Sequence, residues 1–169
     1  QATSRERERR FRELLGALPA AVYTTDAAGR ITYYNDAAAT LWGHRPPLGT
    51  SEWCGSWKLF WPDGTPLPHD QCPMAVALKE DRAVRGMEAA AERPDGTRVP
   101  FIPYPTPIHD ETGKLVGAVN MLVDITDRKH AEERQALLVR ELHHRVKNTL
   151  ATVQAIMGST ARAVDNIED

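Results

Sequence analysis

The chain has 169 residues and a mass of 18.8 kDa, which suffices for one ordinary domain with an appendage or for one large domain. Its 21 basic and 23 acidic residues give a formal net charge of −2, which argues against a broad basic surface and a nucleic-acid partner. Two cysteines, Cys54 and Cys72, are too few for a secreted disulfide scaffold, and no apolar run approaches the roughly 20 residues of a transmembrane helix, so we expect a cytoplasmic protein.

The chain opens with a mixed-charge segment at residues 4–15, where arginine and glutamate are interleaved. Such a segment predicts a solvated helix with a small apolar face. Gly16 and Pro19 end the helical pattern. We therefore interpret residues 1–16 as an N-terminal connector helix.

A β-hairpin and a short helix are predicted next. Residues 21–25 and 30–34 are rich in β-branched and aromatic side chains, and the turn between them offers Gly29 for a positive φ angle. Asn35 is a typical N-cap for a helix over residues 36–42. Gly43 is a typical residue for ending that helix.

The middle of the chain, residues 44–70, is rich in proline, glycine and tryptophan, which excludes a long helix. A short strand is predicted at residues 56–61. Pro73 suits the first turn of a helix over residues 74–80.

Three further strands are predicted at residues 84–93, 99–108 and 114–125, separated by turns that end in Gly96 and Gly113. The second strand carries three alternating prolines whose missing N–H groups face one side: they are Pro103, Pro105 and Pro107. We keep the strand and expect poor pairing on that side.

From Thr126 onward the apolar period changes from two residues to 3.6, and no helix breaker occurs before Gly158. Thr126 or Asp127 is the expected cap of this long helix. Apolar residues recur at every third or fourth position, and they are Leu138, Leu142, Val146, Leu150, Val153 and Met157. We expect a domain boundary near residues 124–127.

Four phrases carry a resemblance to the PAS family over about residues 11–128. They are Ala27-Ala28-Gly29-Arg30-Ile31 with Tyr34-Asn35, then Arg93-Pro94-Asp95-Gly96-Thr97, then residues 113–117, and finally Asp124-Ile125-Thr126-Asp127-Arg128-Lys129. The resemblance implies an α+β protein: a PAS fold, with a five-stranded antiparallel sheet and helices on one face, followed by a long C-terminal α-helix. It places a PAS sensor domain at residues 17–126.

The resemblance also implies a pocket for a small-molecule ligand, which the sequence does not identify. Cys54 in Trp-Cys-Gly and Cys72 in Gln-Cys-Pro do not match the Asn-Cys-Arg phrase of the family's flavin photosensors, so a flavin adduct is not expected. Three histidines in turn-like contexts are interpreted as exposed loop residues rather than haem ligands: His44, His69 and His109. Four tryptophans are expected to fill the core rather than to line a pocket: Trp42, Trp53, Trp57 and Trp61.

A second resemblance is carried by Glu141-Leu142-His143-His144-Arg145-Val146-Lys147-Asn148-Thr149-Leu150 and the flank Ala151-Thr152-Val153-Gln154-Ala155-Ile156. Over about residues 137–164 the chain resembles the phosphoacceptor (DHp) helix of HWE-like sensor histidine kinases. The resemblance implies a homodimer whose paired helices form a four-helix bundle. We therefore interpret residues 127–169 as a linker and the first, truncated phosphoacceptor and dimerisation helix.

Helix geometry distinguishes the two adjacent histidines. At about 100° per residue, His144 lies about 160° from the apolar positions around Val146, whereas His143 lies about 60° from them. A phosphoacceptor imidazole has to be exposed and neutral to attack ATP. We therefore assign His144 as the phosphoacceptor and His143 as a packing residue, and the same angular separation argues against a metal site made by this pair.

The neighbours of His144 suit supporting roles. Glu141, one turn earlier, is predicted to orient the imidazole or to accept its proton, and Asn148 lies one turn later. Arg145 and Lys147 are predicted to steady phosphate charge. Many histidine kinases have an acidic residue directly after the histidine, where this chain has Arg145, so the base is not assigned.

These observations predict the sensing and phosphoacceptor part of a two-component sensor histidine kinase. ATP is then used by a separate ATP-binding domain of the same protein, without which this chain is expected to be inactive, and the phosphate passes to an aspartate of a response regulator. The alternative is a PAS interaction or dimerisation module with no ligand that controls a different output, the helix being a solvated linker. The start at Gln1 suggests a piece of a longer protein, which leaves a membrane anchor elsewhere open.

Overall fold

The computed structural model describes residues 2–165, and the side chains of residues 3–159. The chain forms two compact units, Gln1–Thr126 and Asp127–Asp169, which are described separately. Within residues 2–165, no helix is both long enough and apolar enough to cross a membrane.

The helices follow the predicted order. They are α1 (Ala2–Ala17), α2 (Asp36–Trp42), α3 (Pro73–Glu80) and α4 (Thr126–Asp165), with a single 3₁₀ turn at His69–Gln71 before α3. The strands are β1 (Ala21–Asp26), β2 (Ile31–Tyr34), β3 (Lys58–Phe60), β4 (Ala89–Glu92), β5 (Arg98–Pro103), β6 (Thr106–His109) and β7 (Leu115–Asp124).

All strand pairs are antiparallel, in the order β2-β1-β7-β5-β4-β3, with β6 also paired to β7. The PAS fold implied by the sequence is therefore present, with seven strands where five were expected. One strand beyond these five is β3, which confirms the short strand predicted at residues 56–61 and adds an edge beside β4. The other arises because the predicted strand 99–108 is divided into β5 and β6.

The division of that strand follows from its prolines. Pro103 lies opposite Leu122 and Thr106 opposite Val119, so β6 continues the register of β5 along β7. The Tyr104 N–H donates to the Met121 carbonyl at 2.9 Å, so the N–H positions of the flanking prolines face the other side. The predicted poor pairing on one side is confirmed.

The same prolines set where β4 begins. It was predicted to start at residue 84, but it starts at Ala89, opposite Phe101, just before the proline series. Pro103 and Pro105 offer no N–H for a longer ladder on this edge. The Val84 N–H instead donates to the Pro105 carbonyl at 3.2 Å.

Asn35 joins three elements around the start of α2. Its side-chain oxygen accepts from the N–H groups of Ala38 and Val22, each at 3.0 Å, and its amide donates to the carbonyls of Leu15 and Ala20. Gly43, with a φ of 74°, ends the helix in the left-handed conformation. Both predicted caps of α2 are confirmed.

The core lies between the sheet and helices α2 and α3, with Trp42, Tyr23, Ile31 and Met74 fully buried. Core filling is confirmed for Trp42 and in part for Trp53 and Trp61, which pack against this core. It is wrong for Trp57, which is 55% exposed and lies edge-on to the ring of His44.

A methyl group at Gly117 is expected to weaken the sheet. Its Cβ would lie 2.1 Å from the Thr25 carbonyl oxygen, so β1 and β7 would have to separate. We expect Gly117→Ala to lower the free energy of unfolding by about 1–3 kcal/mol in urea titrations. Gly16→Ala is the control, because its Cβ meets only the Tyr33 hydroxyl at 3.9 Å in a helix, and equal losses for both variants would contradict the steric explanation.

Candidate functional site

The long helix α4 starts at Thr126, in the predicted place but with a different cap. The Asp124 carboxylate accepts from the Thr126 N–H at 2.8 Å and from its hydroxyl at 2.6 Å. Thr126 and Asp127 were the expected caps, but the threonine hydroxyl donates to Asp124. A carboxylate that receives the first N–H of a helix also complements the positive end of its dipole.

One face of α4 is apolar and exposed in the single chain. We call this face the apolar row, and its members are Leu138, Leu142, Val146, Leu150, Val153 and Met157, which are between 46% and 67% exposed. A helix this long with a continuous apolar stripe is typical of a helix that packs against others.

The two adjacent histidines are both exposed on α4. The Asn148 side-chain nitrogen lies 3.3 Å from His144 Nδ1. The Glu141 carboxylate accepts from the Arg145 guanidinium at 2.6 Å. The structure thus brings Asn148 to the imidazole and Glu141 to Arg145, and the predicted roles of these residues and of Lys147 stay predictions.

The interior of the first unit is almost filled. The space beside the core is about 10 Å³, close to the minimum for one water molecule, and its lining includes Tyr23, Cys54, Cys72, Met74 and Asn120. Burial raises the pKa of the Cys54 thiol to about 12 and also raises the pKa of Cys72. Both thiols are therefore un-ionised at neutral pH and weakly nucleophilic.

Sequence reasoning missed Asn120, the polar centre of this interior. It is 2% exposed, its amide donates to the Tyr23 hydroxyl at 3.2 Å, and its oxygen accepts from the Tyr104 N–H at 2.9 Å. The Tyr23 hydroxyl in turn donates to the Trp53 carbonyl at 2.8 Å. A polar residue at an inward position of the most apolar strand was the available signal.

Two of the three loop histidines differ from the expected exposed residues. His44 and His69 are half-buried, and their Nε2 atoms contact the carbonyl oxygens of Gly55 and Ser56 at 2.6 and 2.8 Å. They anchor the loop that covers the core, a role that sequence context alone does not reveal. His109 is exposed, as expected, and lies 2.7 Å from Asp81. In the part of the chain that the structure describes, no cluster of three acidic, histidine or cysteine residues suits a metal ion.

Comparison with known families covers both units. The sequence profile of the PAS fold family matches residues 15–130, and the profile of the HWE histidine kinase family matches residues 141–169. Both resemblances inferred from the sequence are confirmed.

Among curated proteins, the chain is similar to blue-light-activated histidine kinases. The protein from Brucella anthropi is 44% identical over 50 residues, which are 30% of this chain and 10% of that protein. The protein from Brucella ovis is 36% identical over 90 residues, which are 53% of this chain and 18% of that protein. The chain therefore matches between a tenth and a fifth of the length of these relatives.

Solved structures share the fold at low sequence identity. The PAS domain of the fruit-fly ELK potassium channel has a TM-score of 0.56 at 19% identity and covers 70% of this chain and 97% of that chain. The PAS domain of an HTR-like protein from Haloarcula marismortui has a TM-score of 0.53 at 19% identity, with coverage of 73% and 96%. These likenesses concern the fold alone.

Proposed function

We propose that this chain, which belongs to the PAS-fold family, is the signal-sensing and phosphoacceptor part of a two-component sensor histidine kinase. The observation that carries the proposal is the exposed imidazole of His144, which lies within the segment that matches HWE histidine kinases. The similarity to histidine kinases from Brucella supports the same conclusion.

In this proposal the Nε2 atom of His144 attacks the γ-phosphorus of ATP. Nε2 has the free lone pair in the neutral tautomer whose proton is on Nδ1, and that proton stays on the ring during the attack. Nδ1 is the nitrogen that lies 3.3 Å from the Asn148 side chain. The new N–P bond forms as the bond from the γ-phosphorus to the bridging oxygen breaks, and ADP leaves. Arg145 and Lys147 supply positive charge for the transferred phosphoryl group. Glu141 pairs with Arg145 and so neutralises part of that positive charge.

The partners follow from this chemistry. ATP is bound by the ATP-binding domain of the same protein, a homodimer brings the helices together, and a response-regulator aspartate receives the phosphoryl group from His144. A cytoplasmic location suits all three, since ATP and response regulators are found there.

A second candidate is a PAS interaction or dimerisation module that holds no interior ligand and controls a different output. The nearly filled interior, with about 10 Å³ of space, favours it over an interior ligand site. Native mass spectrometry of the purified chain tests this candidate: a chain that purifies with no bound small molecule favours the module without ligand.

Labelling with radioactive ATP tests the proposal directly. The chain is incubated with a separately purified ATP-binding domain of an HWE kinase, and the expected result is acid-labile, alkali-stable phosphate on the chain. A mixture without the ATP-binding domain is the control. No incorporation by the complete mixture would overturn the proposal.

Acidic residues on the apolar row are expected to separate the homodimer. Each buried valine or leucine contributes about 1.5–3 kcal/mol, so Val146→Glu with Leu150→Glu should raise the dimer dissociation constant by at least about 100-fold. The measurement is sedimentation equilibrium. The matched control is Ala151→Glu, which lies about 140° from Val146 and should leave the dimer intact. A dimer that survives the double substitution would contradict pairing through this row.

A further inference from the structure

A groove separate from the filled interior lies on the surface of the first unit. It encloses about 370 Å³, a size that suits a small metabolite. Small side chains at the start of β1 and on α2 create the space: Ala20, Ala21 and Ala37. Two charged residues also line it, Arg93 just after β4 and Asp124 at the end of β7.

The Arg93 side chain is held in place before any ligand arrives. Gly43 has no Cβ, and a Cβ there would lie 2.8 Å from the Cγ and Cδ atoms of Arg93, so the arginine stem occupies that room. Its Nε donates to the Leu41 carbonyl at 3.2 Å, and Nη1 lies 3.5 Å from the Thr97 hydroxyl. A guanidinium has five N–H donors and these contacts use two of them, so three remain for a ligand carboxylate. The Asp95 carboxylate also lies within electrostatic range of Arg93.

Asp124 offers the opposite charge. Its Oδ1 accepts from the backbone and hydroxyl of Thr126, and its Oδ2 is the second acceptor oxygen of the same carboxylate. The groove therefore presents one fixed cation and one fixed anion around an apolar floor. An anion alone would meet the charge of Asp124, and a cation alone would meet that of Arg93.

We propose that this groove binds a small zwitterion, with its carboxylate on Arg93, its ammonium on Asp124 and its apolar part on the alanine floor. The ammonium group of the ligand would pair with the carboxylate of Asp124, which accepts the first N–H of α4. Binding at that carboxylate gives a small molecule a direct effect on the start of the helix. This binding does not depend on phosphate uptake by His144, so either can fail alone.

Titration calorimetry with the full chain tests the proposal. The probes are L-leucine and 4-aminobutanoate, two zwitterions of different charge separation. The single-charge analogues are 4-methylpentanoate and 3-methylbutylamine, which each lack one charged group of leucine. We expect at least one zwitterion to bind at least about tenfold more tightly than either analogue, because each charge-assisted hydrogen bond contributes that much or more.

Variants locate the binding. Arg93→Gln and Asp124→Asn should each weaken it at least about tenfold, and the asparagine keeps an oxygen for Thr126. Ala37→Leu should abolish it by filling the groove with a good helix former. The control is Arg98→Gln, since Arg98 pairs with Glu92 at 2.9 Å and does not line the groove.

Circular dichroism of each variant establishes that it is folded. The proposal is overturned if neither zwitterion binds the wild-type chain at millimolar concentration. It is also overturned if a single-charge analogue binds as tightly as the zwitterion, or if the folded Ala37→Leu variant binds like wild type.

Discussion

His144→Gln is expected to abolish phosphate incorporation from ATP in the presence of an HWE ATP-binding domain. Glutamine keeps a polar, exposed side chain of similar reach on the helix, but an amide nitrogen has no free lone pair to attack phosphorus. The label should fall to background, a loss of at least about 1,000-fold, because the side chain supplies the nucleophile itself. The measurement is radiolabel on the chain after gel separation at alkaline pH.

His143→Gln is the matched control, since both histidines are exposed and adjacent on α4. It should keep most of the label, because His143 lies about 60° from the apolar row and His144 about 160° from it. A reversed result, with label lost in His143→Gln and kept in His144→Gln, would move the phosphoacceptor to the other face. Circular dichroism should be unchanged in both variants, because neither ring packs in the core.

The first hairpin and the ends of α2 could be predicted from the sequence because each depends on residues that are close together in the chain. The first hairpin needs a positive φ at its turn, and Gly29 has a φ of 88°. The caps of α2 are single residues, Asn35 and Gly43, whose side-chain chemistry suits those positions. Each of these predictions required only neighbours within a few residues.

The parts that sequence reasoning missed depend on contacts between distant residues. The start of β4 is set by Pro103 at the end of β5 and by Pro105 just after it, both of which come later in the chain. His44 and His69 are half-buried, and each ring contacts a carbonyl oxygen of the loop at residues 55–56. Neither contact follows from periodicity or from turn composition.

In the candidate site, too, one feature could be predicted from the sequence and another could not. The face of α4 that carries His144 follows from the helical repeat. The partner of Glu141 does not, because Glu141 is three residues before His144 and four before Arg145, and either spacing permits contact. The ion pair with Arg145 at 2.6 Å prevails, since a charged guanidinium attracts a carboxylate more strongly than a neutral imidazole does.

Trp42→Ala is expected to be the most damaging single change in the PAS core. Trp42 is fully buried, and its ring meets Tyr23 and Tyr34 edge-on, at centroid distances of 5.2 and 5.6 Å. Removing it leaves a large cavity beneath Gly55, whose backbone packs directly on the indole. We expect the free energy of unfolding to fall by about 3–5 kcal/mol, a large share of the roughly 5–15 kcal/mol of an ordinary domain.

Urea titrations followed by tyrosine and tryptophan near-ultraviolet circular dichroism measure this loss, and Trp42→Phe is the matched control. The indole N–H is buried and has no hydrogen-bond partner among the described residues, so phenylalanine removes an unsatisfied donor while keeping most of the ring contacts. The phenylalanine variant should therefore lose less than half as much stability as the alanine variant. Equal losses in the two variants would mean that a phenyl ring recovers none of the packing of the indole, which would contradict a stabilisation that depends on ring volume.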